Sequence, residues 1–348
     1  MTVERSLMTS SAVFSKNAII MSHSSSPYVS AYTWSSAGFG LKYANPAVIP
    51  SAVTGRGLSI SPSSTAIAFG VDFSPYLVTY AWSGYGFGAK YADPSTLIAG
   101  RGFATMFSPA GDAIAVGQES SPYVDAYAWS GAGFGTKYSN PATLPFAAGQ
   151  AVAFSPSGSY VAVGSASTSS NRGFAVYPWS SATGFGTKYT NPTTAVDSIY
   201  GVAFSPSSNA IAAGHVLSPY ISVYAWSGSG FGAKYSDPST LPASGGQGVA
   251  FSPSGNAVAV AYSTSPGVSV YAWSGSGFGT KYSDPSTVPA GGGIGVTFSP
   301  SGDAIAIGCN SSPYISAYPW SGSGFGSKYA DPSILPSGFV TSIAFAVL

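Results

Sequence analysis

Phe107-Ser-Pro-Ala-Gly-Asp112, running on through Ala113-Ile-Ala-Val-Gly117, Ser121-Pro-Tyr123, Tyr127-Ala-Trp129, Gly133-Phe-Gly135 and Lys137-Tyr138 to Asn140-Pro141, is one turn of a pattern that fills the chain. Its tryptophan marks the period. Trp34, Trp82, Trp129, Trp179, Trp226, Trp273 and Trp320 are the only tryptophans in 348 residues and stand 48, 47, 50, 47, 47 and 47 apart. A period of roughly 40–50 residues, made of short strand-like runs and turns, points to a propeller with one blade per repeat.

Each repeat divides into four strands, a to d. Gly248-Val-Ala-Phe251 is β-branched and aromatic, and it stops at Ser252-Pro-Ser-Gly255-Asn256, whose Pro and Gly suit a tight reversal. Strand b, such as Ala257-Val-Ala-Val260, is continuously apolar, as expected where both faces of a sheet are covered. In strand c a Tyr stands two residues before every Trp, so the two share a face. In strand d, Phe and Tyr four apart, as in Phe231 and Tyr235, again share a face, and Asp237-Pro238 or its equivalent ends the pairing. No capped segment with a helical period is present. The expected fold is all-β: one domain over residues 1–348, a seven-bladed β-propeller of four-stranded antiparallel blades.

The a-like pattern occurs once too often, at Ala12-Val-Phe14 and again at Ser342-Ile-Ala-Phe345, besides six internal copies. Phe14 lies 20 residues before Trp34, whereas Phe107 lies 22 before Trp129, so the first copy lacks the full turn. We therefore expect residues 338–348 to close the ring as the inner strand of the first blade. The alternative seats residues 11–14 there and leaves the tail as an added edge strand.

Charged residues are 7% of the chain and the net charge is +1, so no global field favours nucleic acid or an acidic membrane. The 44 Gly and 26 Pro recur at fixed positions between apolar runs, and 14% of residues are aromatic, which marks a folded chain. A single cysteine, Cys309, excludes an intramolecular disulfide. Neither a signal peptide nor an apolar stretch approaching the roughly 18 residues of a membrane span is visible, so membrane insertion is not expected.

Strand order a to d puts the b-to-c and d-to-a loops at one end of the ring. The a-to-b loops are nearly uniform, but the b-to-c loops diverge. After the strand b glycine position the repeats read His23-Ser24, Val71-Asp72, Gln118-Glu119, Ser165-Ala166, His215-Val216, Tyr262-Ser263 and Cys309-Asn310. The fourth b-to-c loop is three residues longer and carries Arg172. These positions, Ala166 apart, are the candidate partner-binding face.

Repeated residues read as structure. The Trp side chains could be sugar platforms, but at the end of a core strand they are expected to pack blade against blade. The seven lysines Lys42, Lys90, Lys137, Lys188, Lys234, Lys281 and Lys328 could grip an anion, yet on an outer strand each can lay its stem over an aromatic. The Asp or Asn before each repeat's Pro suits turn capping, because either type occurs there. Two histidines in different repeats, without neighbouring ligands, do not make a metal site. The Gly-Phe-Gly motifs precede strands, not helices, so they are not phosphate loops. Acidic and nucleophilic residues look repeated or scattered, without the asymmetric constellation catalysis requires. The expectation is no enzyme, no catalytic residue, no metal and no cofactor.

Phe298-Ser-Pro-Ser-Gly-Asp303, Ala304-Ile-Ala-Ile-Gly308 and Tyr318-Pro-Trp320 resemble the WD-repeat pattern, in all seven units. The family's Gly-His pair is missing and Ser follows every Trp where Asp is usual, so its hydrogen-bond set cannot form. Tyr271-Ala-Trp-Ser-Gly-Ser-Gly-Phe-Gly-Thr-Lys-Tyr-Ser-Asp-Pro-Ser-Thr287 resembles propeller repeats of bacteriophage tail and other virion proteins. That resemblance implies a non-enzymatic structural component of the phage particle, a tail or surface platform for protein interaction or host recognition. Its implied partners are other virion proteins and a host surface glycan or receptor, and not nucleic acid. The alternative is a carbohydrate-binding adhesin or lectin with repeated aromatic sites.

Overall fold

The computed structural model describes residues 17–50, 54–167, 172–194 and 196–347. They form seven antiparallel sheets, one per repeat, in a ring. Blade three is typical: strand a Gly102–Phe107, strand b Ala113–Gln118, strand c Val124–Ser130 and strand d Gly133–Lys137, hydrogen-bonded in that order. In blade four the outer strand shrinks to Gly184–Phe185, and in blade seven a single bridge, Trp320 to Phe325, stands in its place. Among the described residues no helix is long and apolar enough to cross a membrane.

Burial follows the strand patterns. All of Ala113–Gln118 is buried, because strand b lies mid-blade with a neighbouring blade on each face. The core is a set of inter-blade layers: Ala113, Ala115 and Val124 of blade three pack with Val152, Val163 and Trp179 of blade four.

The tryptophans are the nodes of these layers and are only 3–7% exposed. Trp129 meets three rings edge-on: Phe134 of its own strand d at 5.1 Å, Phe107 of its own strand a at 5.5 Å, and Tyr91, just past strand d of the preceding blade, at 4.9 Å. Two tyrosine hydroxyls reinforce this seam. Tyr91 donates to the Gly131 carbonyl of the next blade, and Tyr127 donates to the Thr96 carbonyl of the preceding d-to-a loop. The indole N–H groups of Trp82, Trp226 and Trp320 are buried without a partner. The expected packing role of the tryptophans therefore replaces the sugar-platform alternative.

The lysine ring is satisfied locally. Lys42, Lys137 and Lys188 donate to Asn45, Asn140 and Asn191, and Lys90, Lys234, Lys281 and Lys328 pair with Asp93, Asp237, Asp284 and Asp331. The Asp or Asn before each proline is thus a fixed acceptor for the lysine three residues earlier.

The C-terminal strand Val340–Ala346 closes the ring as strand a of blade one, pairing with strand b Ala18–His23 from Ala18 opposite Ala346 to His23 opposite Val340. Phe345 and Tyr329 complete the node of Trp34 at 5.2 and 5.3 Å. The competing segment, residues 11–14, lies outside the described residues.

Candidate functional site

Seven inner strands enclose a central cavity of about 660 Å³. They approach closely because their third position is small. A Cβ on Gly57 would lie 2.5 Å from the Ala104 Cα, and one on Gly201 2.7 Å from the Gln247 carbonyl oxygen. Such closeness leaves no room for side chains between the strands there, so the larger ones project at the channel's end.

A β-bulge aims them. Gly102 lies opposite Gln118 and Ala104 opposite Gly117, which leaves Phe103 without a partner across the ladder. The same irregularity frees Gln150, Tyr200, Gln247, Ile294 and Thr341, and in blade two it spans Arg56 and Gly57. A bulge re-aims a side chain, and here seven of them line the cavity at the end where the d-to-a loops enter. Repeat symmetry is broken there by size, polarity and charge.

The charges come from four loop and strand ends of blades two and three. Arg56 Nε donates to Asp72 Oδ1 at 2.6 Å. Arg101 grips Glu119 with two nitrogens, Nε reaching Oε2 at 2.9 Å. Both guanidiniums lie near one aromatic ring, with Arg56 Cζ 4.9 Å and Arg101 Cζ 5.5 Å from the centroid of Phe103. The Arg101 hydrogen bond holds the Glu119 carboxyl below the usual carboxylate range, and Glu119 in turn raises Arg101. The Arg101–Glu119 pair is open to solvent, whereas the Asp72 side chain is only 9% exposed. The beginning of blade three thus holds an acceptor that stays ionised and a cation pinned beside it.

A buried chain of polar groups supports this corner. Gln118 Oε1 accepts from the backbone N–H groups of Ala99 and Gly100, 2.7 and 3.2 Å away, just before Arg101. Gln118 Nε2 donates to Asp125 Oδ2 at 2.8 Å, and the Lys137 ammonium lies 2.6 Å from the other carboxylate oxygen. Burial pushes the Asp125 carboxyl up, and Lys137 and Gln118 oppose that shift.

The fourteen residues expected at the b-to-c face divide by position. His23, Val71, Gln118, Ser165, His215, Tyr262 and Cys309, the first of each pair, are at most 1% exposed and point into the blade. Ser24, Asp72, Glu119, Val216, Ser263 and Asn310 reach the surface, wholly or in part, and Asp72 and Glu119 line a surface pocket with Arg101. Arg172 is exposed, with its guanidinium 4.1 Å over the Phe146 ring. Arg56, Arg101 and Phe103 were missing from the expected set. The signal for Arg56 and Phe103 was the second residue of strand a, which reads Arg56, Phe103, Gln150, Tyr200, Gln247 and Ile294 in blades two to seven, whereas Arg101 stands just before its strand. Among the described residues no group of three or more His, Cys, Asp or Glu could hold a metal ion.

No protein-family model and no curated protein matches the sequence. Solved propellers match the fold. A 6-phosphogluconolactonase candidate from Bacteroides fragilis superposes with a TM-score of 0.73 at 10% identity, over 95% of this chain and 98% of that one. A second candidate of that name, from Bacteroides uniformis, gives 0.70 at 14%, over 95% and 99%. The periplasmic gluconolactonase of Pseudomonas aeruginosa gives 0.69 at 12%, over 95% and 99%. Identities this low show a shared fold.

These neighbours run against the expected virion role and the exclusion of an enzyme, because the functionally named ones cited are lactonases. The physical reason lies in what was compared. The resemblance to tail repeats rests on turn and seam residues, which every blade shares for packing. Arg56, Asp72, Arg101 and Glu119, residues that stand far apart in the repeat pattern, come together beside Phe103 as two ion pairs.

Proposed function

We propose that the channel mouth hydrolyses a small polyhydroxylated lactone. The observation that carries this reading is the placement of two arginine–carboxylate pairs beside Phe103: Arg56 and Phe103 line the central cavity, while Asp72, Arg101 and Glu119 line an adjacent surface pocket. The lactonase names of structures sharing the fold over nearly their whole length support it.

Lactone hydrolysis adds water to the carbonyl carbon and breaks the ring C–O bond, giving a hydroxy acid. It requires a donor where negative charge develops on the carbonyl oxygen and an acceptor for the water proton. Arg56 suits the role of donor, because Asp72 takes only its Nε and its terminal nitrogens have no hydrogen-bond partner among the described residues. Glu119, kept ionised by Arg101, suits the role of acceptor. Phe103 offers an apolar face to the ring C–H groups, while the amides of Gln150 and Gln247 face the hydroxyls.

Acid release from D-glucono-1,5-lactone, followed by pH-stat with the spontaneous rate subtracted, tests the proposal. Arg56→Ala is expected to lower kcat/KM by about 100-fold, and Arg172→Ala, outside the mouth, to leave it unchanged. Absence of turnover above the spontaneous rate for a panel of five- and six-membered sugar lactones would sink the reading.

A further inference from the structure

We infer that the mouth selects an uncharged lactone and rejects its phosphorylated counterpart. The inference rests on the proposed lactonase reading and concerns the charge of its substrate. A phosphate monoester carries close to two negative charges at neutral pH and binds where cations stand uncompensated. Here each guanidinium already has its carboxylate, Arg56 with Asp72 and Arg101 with Glu119, so the four side chains sum to zero. The pairs also feel one another, with Arg56 acting on Glu119 and Asp72 on Arg101.

No other cation is at hand among the described residues. The seven lysines stand on or beside the outer strands, each held by the Asn or Asp three residues on. Arg172 lies over Phe146, and neither residue lines the central cavity or the adjacent pocket that holds Arg101 and Glu119. The terminal nitrogens of Arg56 can meet the single charge that develops on a carbonyl oxygen, but a dianionic phosphate there would have no second uncompensated cation, because Arg101 is held by both oxygens of Glu119. Neutral hydroxyls meet no such conflict. Gln150, Gln247 and Thr341 give the rim uncharged groups suited to them.

Two measurements separate this inference from the reading beneath it. The first compares kcat/KM for D-glucono-1,5-lactone and its 6-phosphate at one pH and ionic strength. At least a tenfold preference for the uncharged lactone is expected, and equal or better turnover of the phosphate overturns the inference while leaving the lactonase reading intact. The second is calorimetric binding of D-glucitol and D-glucitol 6-phosphate, which needs no turnover. The uncharged polyol is expected to bind and the phosphate to bind at least tenfold more weakly. Glu119→Gln, which frees Arg101, is expected to tighten the phosphate by roughly tenfold. If neither lactone is turned over, the lactonase reading falls and the binding preference alone decides the inference. Tighter binding of the phosphate to the native protein, or binding of neither compound, overturns it.

Discussion

His23 and His215 end strand b in blades one and five, and each places Nε2 within 3.0 Å of a strand-c serine, Ser30 or Ser222. Desolvation by burial lowers both from the ordinary 6.5 to about 4, and Lys42 beside His23 and Lys234 beside His215 push the same way. The folded protein therefore keeps them neutral at pH values where the unfolded chain protonates them. Their contribution is fully present above pH 6.5 and is lost as pH falls through about 4, on the order of 3 kcal/mol for each. Denaturant midpoints should fall steeply between pH 6.5 and 4, and the His23→Gln/His215→Gln variant should fall less over that window. Identical slopes for the two proteins would show that other groups govern acid unfolding. The same positions explain what the sequence could tell at this scale. Their variety was visible, but it follows the facing residue: His23 with Ser30, Gln118 with Asp125, Tyr262 with Ser269, and Val71 in one apolar cluster with Val78. A single repeat does not display that pairing, because the two members lie seven residues apart on different strands.

At the scale of the strand, the period-two and period-four aromatic spacings revealed which side chains share a face, and so the seams were legible. Tyr235 illustrates how two contributions differ there. Its ring lies 5.0 Å from Trp273 and its hydroxyl donates to the Gly275 carbonyl at 2.9 Å. Trp273→Ala empties the node and should cost about 3–5 kcal/mol, whereas Tyr235→Phe removes one hydrogen bond and should cost about 1 kcal/mol. Urea unfolding checks the ratio, and equal losses would mean that the hydroxyl, not the ring, holds the seam. The channel mouth was less legible because a bulge leaves no mark within one repeat. Gly102-Phe103-Ala104 looks like ordinary strand until Gly102 and Ala104 are seen opposite the adjacent residues Gln118 and Gly117.

For the molecule as a whole, the count of blades and the C-terminal closure followed from arithmetic on the tryptophans and the strand-a pattern, whereas the function did not. Shared residues specify the ring, and residues that differ between blades specify its mouth, so a resemblance built on the former carries no chemistry. The closure makes a direct prediction. Removing residues 338–348 exposes Ala18–His23 as an open edge and strips Phe345 from Trp34, so the melting temperature should drop sharply and the product should tend to associate. An unchanged melting temperature would contradict the pairing.

That pairing also sets a schedule. Ala18 leaves the ribosome early, yet the partner opposite it is Ala346, so blade one must wait with one edge bare while every other blade is synthesised. A seam that joins the two ends of so long a chain forms slowly, since its loop must be closed before any contact rewards it. The last strand of the ring to emerge is thus the one that turns an open arc with a bare edge into a sealed circle, and a ring halted short of it carries its own aggregation signal.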